Sequence, residues 1–175
     1  MQLTRFTDIG LRVVMRLAVA GGGSVGGAGG GSGDAVAESM TTRALAADLA
    51  VPYTHVTKVV VRLSELGIVH SRRGRNGGLV ITELGRSARI GWLASRLEGD
   101  GEVVECEGAT PCPLRSACRL RGALAAARRA FFDSLDDHTV GDLVADPTGA
   151  VLLTLNIPRS GAAPTRAEVR GSIAD

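Results

Sequence analysis

Aromatic side chains make up only 3% of the 175 residues, and Lys58 is the one lysine among 20 basic residues. With so few rings, a core has to be packed from Ala, Val and Leu, which favours small helices in close approach. No run nears the ~18 consecutive apolar residues that cross a bilayer, and Met1-Gln2-Leu3-Thr4-Arg5 leads into charge instead of an apolar signal core. A soluble, cytoplasmic chain without membrane contact is expected. No P-loop, flavin or nicotinamide motif occurs, and the glycine run near the N-terminus follows no strand, so nothing points to an enzyme. The length fits one domain, or a small domain with an accessory segment.

The net charge of +2 hides an uneven distribution. Residues 41–96 carry nine basic side chains against Asp48, Glu65 and Glu83, whereas residues 97–146 carry five arginines against ten acids. A basic segment followed by an acidic one implies a part that binds a polyanion joined to a part with another task.

Phe6, Ile9, Val13, Leu17 and Ala20 fall at helical spacing, with Thr4 or Thr7 available as a cap. From Gly21 to Met40 nine of twenty residues are Gly, which predicts a flexible surface insertion over 21–40. Thr41-Thr42 can cap a short helix over 43–50, and Pro52 suits the first position of a second, whose Val56, Val59, Val60, Leu63 and Leu66 form a stripe closed by Gly67. Residues 68–72 and 79–82 flank a Gly-rich basic turn and read as a hairpin. Thr82 can cap a further helix reaching Leu97, with Leu84, Ala88, Trp92 and Leu93 inward. Residues 98–117 read as loop. Leu120, Leu124, Ala127, Phe131 and Leu135 make an apolar stripe suited to a similar helix, within a long helix and short return segment over 118–145. Pro147, Pro158, Pro164 and scattered Gly give 146–175 no period, which predicts a disordered tail.

Helix, tight turn, helix and basic hairpin in this order define a winged helix-turn-helix over 1–97, in a mostly α fold with a two-stranded wing. On its second helix Tyr53, Thr54, His55, Thr57, Lys58 and Arg62 are not needed for the core and can read base edges of double-stranded DNA. Arg72, Arg73, Arg75 and Asn76 of the wing suit phosphates.

The chain's three cysteines fall within thirteen residues as Cys106-x5-Cys112-x5-Cys118, with Pro111 and Pro113 beside the middle one. The prolines exclude a continuous helix there, and Cys118 sits where the long helix begins, so the helix dipole favours thiolate charge. A metal centre follows. A disulfide would strand one thiol, zinc usually takes pairs spaced more tightly, and an iron-sulfur cluster accepts three thiolates plus one further ligand. A redox or electron-transfer carrier built on these cysteines is the reading from another class, though such carriers normally supply four thiolates.

Met1-Gln2-Leu3-Thr4-Arg5-Phe6-Thr7-Asp8, Val51-Pro52-Tyr53-Thr54-His55, Arg72-Arg73-Gly74-Arg75-Asn76-Gly77-Gly78-Leu79 and the Cys106–Cys118 array together resemble the NsrR/IscR family of winged-helix regulators, the nitric-oxide-sensing NsrR branch most closely. The resemblance covers roughly residues 1–20 and 41–145. It implies a homodimer held by the long helix, a palindromic operator, and a cluster, 4Fe-4S more than 2Fe-2S, on Cys106, Cys112 and Cys118. Relatives that control cluster assembly place a His three residues after the last Cys; here Arg121 stands there. By similarity the fourth ligand is Asp8 of the partner subunit. The implied mechanism is repression by the cluster-bearing form and release of DNA when nitric oxide attacks the irons, with a sensor of iron or cluster status as the alternative.

Overall fold

A computed structural model describes residues 1–21, 39–74 and 77–155. Their order is α1 (Arg5–Ala20), α2 (Thr42–Asp48), α3 (Tyr53–Glu65), β1 (Val69–Arg72), β2 (Gly78–Ile81), α4 (Glu83–Ser87), α5 (Ile90–Glu98), α6 (Arg119–Leu135), α7 (Val140–Leu143) and α8 (Thr148–Thr154). This is the expected mostly helical winged fold. Among the described residues no helix is long and apolar enough to cross a membrane.

α1 begins at Thr4, whose hydroxyl accepts from the Thr7 N–H at 3.3 Å, and it buries Ile9, Val13, Val14, Leu17 and Ala18. Each aliphatic side chain the size of Val, Leu or Ile contributes about 1.5–3 kcal/mol on burial. α3, α5, β2, α7 and α8 all pack on α1, which makes it the centre of the core. A buried ion pair, Arg16 to Asp48 at 3.0 Å, ties it to α2.

Thr41 caps α2, and α3 follows after a tight turn, burying Val56, Val59 and Leu63 against α1 and α2. Pro52 is the N-cap rather than the first helical residue, so α3 starts one position later than the sequence pattern implies; the Pro52 carbonyl accepts from the His55 and Val56 N–H groups. β1 and β2 pair antiparallel with Val69 opposite Ile81 and Arg72 opposite Gly78. Met40 joins the outer side of β2: its N–H donates to the Leu79 carbonyl at 3.0 Å and its carbonyl accepts from the Leu79 N–H at 2.7 Å. The end of the 21–40 segment is therefore docked in the core, with Met40 buried, because the free edge of β2 offers it a pair of backbone bonds. The rest of that insertion, residues 22–38, lies outside the described residues.

The helix expected from Thr82 to Leu97 is two helices. Thr82 caps α4, as its hydroxyl accepts from Gly85 N–H at 2.9 Å, but Ala88 and Arg89 are extended. The break is held from a distance: Ile90 N–H donates to the His138 carbonyl at 2.9 Å and Val140 N–H to the Ala88 carbonyl at 3.0 Å. Leu84, expected inward, is 55% exposed as a consequence, whereas Ala88 and Leu93 are buried.

α6 packs on α5 through its C-terminal part, with Phe132 as its one buried residue. Asp136 closes the joint by accepting the Trp92 N–H at 2.7 Å. Gly91 is required there, since a Cβ would overlap the Phe132 carbonyl oxygen. Toward the N-terminus of α6, Leu120 is 62% exposed and Ala127 is also exposed. Residues 148–154, expected to be tail, form α8, which buries Gly149 and Leu152 and rests on α1. The remainder of the expected tail, residues 156–175, lies outside the described residues.

Candidate DNA interface and cysteine centre

α3 is held by its apolar side, so its other side faces outward with Tyr53, Thr54, Thr57 and Lys58 exposed and His55 half-buried. Thr57 donates its hydroxyl to the Tyr53 carbonyl at 3.0 Å. Arg62 is turned along the helix to Glu65 at 3.1 Å and to the Arg96 carbonyl at 3.4 Å, so it is engaged in a way the other five are not. Arg72 and Arg73 are exposed on the wing; Arg75 and Asn76 lie outside the described residues. Two basic residues that sequence reasoning missed join this surface. Arg43 of α2 lies over the Tyr53 ring at 5.4 Å, and Arg5 of α1 lines, with Phe6, Ile9, His55, Lys58 and Val59, a 270 Å³ hollow. The fold thus places Arg5 of α1 and Arg43 of α2 beside Lys58 and Tyr53 of α3, while Arg72 and Arg73 stand exposed on the wing, and Glu65 on α3 is already engaged by Arg62.

Gly99, at φ +77°, ends α5 and starts the cysteine loop. Inside the loop Cys112 N–H donates to the Cys106 carbonyl at 3.0 Å, Arg115 N–H to the Cys112 carbonyl at 3.1 Å and Ala117 N–H to the Leu114 carbonyl at 3.0 Å. These bonds fold the chain back on itself and bring Cys118 to the N-cap of α6. All three thiols are free; Cys106 is buried and the other two are half-buried. Burial pushes the Cys106 thiol above its ordinary value, Arg121 opposes this, and Cys112, Glu102 and Cys118 add to the rise. Among the described residues, no three Cys, His, Asp or Glu side chains close on one point as a mononuclear metal cage requires.

Asp8 stands one turn into α1 and pairs with Arg12 at 2.9 Å, about half of each side chain being exposed. It takes no part in the cysteine loop of its own chain.

Residues 33–146 match the family Rrf2, described as "Iron-dependent Transcriptional regulator". The chain belongs to the Rrf2 family. Over 161 residues it is 52% identical to the HTH-type transcriptional repressor NsrR of Streptomyces coelicolor, covering 92% of this chain and all of that one. It is 33% identical to the HTH-type transcriptional regulator NsrR of Shouchella clausii, covering 82% and 89%. Solved Rrf2-like structures confirm the fold: CymR, the global cysteine regulator of B. subtilis, at TM-score 0.57, 22% identity and 82% and 95% coverage, and T. potens IscR at 0.59, 15%, 82% and 86%. The chain is thus a transcriptional regulator with the winged fold.

Arg121 is the residue of this Rrf2 chain whose role the sequence shows only as a departure from related proteins. Its Nε donates to both oxygens of Glu102 at 3.0 and 2.9 Å, Nη2 also reaches Glu102, and Nη1 donates to Glu107 at 3.2 Å. Neither carboxylate is at helical spacing from Arg121, so no local pattern announces the contact.

Proposed function

We propose that the chain is a dimeric repressor that holds an iron-sulfur cluster and releases operator DNA in response to nitric oxide. The observation that carries this is the full-length similarity to a repressor named NsrR, joined to three free thiols on one loop at the head of α6. The donor set suits a cluster: thiolates are its preferred ligands, they bind different irons and need not meet at one point, and a helix N-terminus favours their charge. Cys106, Cys112 and Cys118 would hold it, with Asp8 of the partner subunit as the fourth ligand. When bound, the cluster supplies irons open to a diatomic ligand.

The chain's own residues supply the rest. Tyr53, Thr54, His55, Thr57 and Lys58 face the major groove, while Arg72, Arg73, Arg75 and Asn76 meet phosphate. The exposed Leu120 and Ala127, with the partly covered Leu124 and Phe131, form the stripe that a second copy of α6 covers, since a 17-residue helix gains little stability without packing along its length. The mechanism requires that the loaded loop favour the DNA-competent arrangement, by ~1.4 kcal/mol for each tenfold change in affinity.

Anaerobic purification with visible absorption and iron and sulfide assay tests the centre. A brown protein whose promoter affinity falls on nitric oxide titration is expected, and a colourless protein with stoichiometric zinc overturns the cluster. The family's "Iron-dependent" description favours a second reading, a sensor of iron or cluster status. Indifference of the DNA complex to nitric oxide, together with a response to iron supply, selects that reading.

A further inference from the structure

α6 breaks a rule of helix electrostatics at its start. The positive end of a helix favours acids, yet no acid lies in its first turn, and Arg119 and Arg121 stand there instead. Arg121 also spends its whole donor fork within the cysteine loop, on Glu102, four residues before Cys106, and on Glu107, the residue after it. Arg115 approaches Glu107 from the other side at 3.7 Å. The two carboxylates flank the buried Cys106, and the Cys106 carbonyl in turn accepts the Cys112 N–H. One guanidinium therefore bridges both flanks of the first cysteine to the helix that the third one caps.

We propose that Arg121 is a positioning residue for the cysteine centre: by clasping Glu102 and Glu107 it holds the Cys106 limb against the first turn of α6, the helix that Cys118 caps, before any cluster arrives. The role rests on reading the thiols as a metal site, but the clasp itself is a property of the bare chain. A planar fork is needed, because it meets two carboxylates at once while an ammonium offers a single point of charge. The guanidinium also sets a positive charge beside the thiols, which partly offsets the two carboxylates it holds and the negative charge of a loaded centre.

The test uses the full-length chain, reduced and metal-free, with hydrogen exchange read at the Cys112 amide. Arg121→Gln should speed that exchange about tenfold, since the bond to the Cys106 carbonyl opens with the loop, while core amides of α1 and α3 keep their protection. Arg121→Lys should restore only part of the protection. Unchanged exchange in Arg121→Gln overturns the clasp. If that variant fails to fold, Glu102→Gln and Glu107→Gln, both at exposed side chains, are followed at the same amide: faster exchange supports the clasp and unchanged exchange overturns it.

A second readout separates positioning from mere support. In anaerobically loaded protein Arg121→Gln should lower the reduction potential, because the charge that favours the added electron is gone, and Arg121→Lys should keep it near the parent value; identical potentials in all three overturn the claim that this charge bears on the centre. The two readings fail separately. A loop that opens in Arg121→Gln in a chain that never takes up iron leaves the clasp and removes the cluster, whereas a brown Arg121→Gln protein with unchanged Cys112 exchange does the reverse.

Discussion

Ala50 closes the turn between the two helices of the DNA-binding unit in a conformation that suits glycine. Its φ is +52°, its N–H donates to the Ala47 carbonyl at 3.1 Å, and Val51 N–H donates to the Ala46 carbonyl at 3.0 Å. The end of α3 is built on the same bonds, Gly67 N–H to the Ser64 carbonyl and Ile68 N–H to the Leu63 carbonyl, both at 3.0 Å, but there the left-handed residue is Gly67 at φ +72°. An L side chain in that region costs about 1–2 kcal/mol, and the freer unfolded chain of a glycine variant takes back about 0.4–1 kcal/mol. Ala50→Gly should therefore stabilise the protein by about 0.5–1 kcal/mol. Gly67→Ala should destabilise it by about 1 kcal/mol, with backbone strain as the cause, because the added Cβ meets only Leu84 at 3.7 Å. For a chain of this size 1 kcal/mol moves the melting temperature by about 2–4 °C. Thermal unfolding followed by far-ultraviolet circular dichroism, at one protein concentration, resolves such shifts. An Ala50→Gly variant that melts at or below the parent temperature refutes the reasoning.

Asp48→Ala should cost about 3–5 kcal/mol, because it leaves Arg16, 3% exposed, charged and unpaired; denaturant unfolding checks this, and Arg16→Met together with Asp48→Leu should recover most of the loss. Asp142 accepts the Thr139 N–H at 2.8 Å and its hydroxyl at 2.7 Å, and these bonds, backbone first, hold its carboxyl below its ordinary value. Its contribution to stability is thus present above about pH 4 and is lost as the pH falls further through the depressed value, so Asp142→Asn should flatten the acid limb of a stability-against-pH curve. Lys58→Ala should weaken operator binding and reduce the slope of log affinity against log salt by about 0.9 if it meets one phosphate; an unchanged slope places Lys58 off the backbone. Leu124→Glu, which puts a charge in the α6 stripe, should shift the protein toward monomer in sedimentation, and an unaltered dimer moves the interface elsewhere.

Elements specified by neighbours in sequence were legible, and those specified by distant partners were not. α1, α2, α3 and the wing carry their own caps, stripes and turn residues, so Thr4, Thr41 and Gly67 mark boundaries that the structure keeps. The break at Ala88–Arg89 has no local mark, because what extends it is a pair of backbone bonds to His138 and Val140. α8 reads as tail because its burial depends on one side chain, Leu152, and on a glycine pressed against the Val144 carbonyl. On α3 the spacing separates inward from outward positions correctly, but it cannot tell that Arg62 is occupied by Glu65 and the Arg96 carbonyl. The cysteine array stands out by spacing alone, whereas the Arg121 contacts that fold its loop span 14 and 19 residues without periodicity.

Glu98 joins the two halves of the molecule. It is the last residue of α5, directly before the cysteine loop, and its carboxylate accepts the Thr4 N–H at 3.1 Å, the Thr4 hydroxyl at 3.0 Å and the hydroxyl of Thr7. Thr7 is fully buried, so this acceptor cannot be exchanged for water without opening the first turn of α1. If the root of the loop shifts while α1 stays, the buried Thr7 hydroxyl is left with only that of Thr4, 3.1 Å away, and a buried donor without a full partner costs about 1–3 kcal/mol. The lower-cost course is for the first turn of α1 to follow Glu98. That turn carries Asp8, and the helix behind it packs directly on α3. One carboxylate thus connects the root of the cysteine loop to the helix that supports the DNA-reading surface.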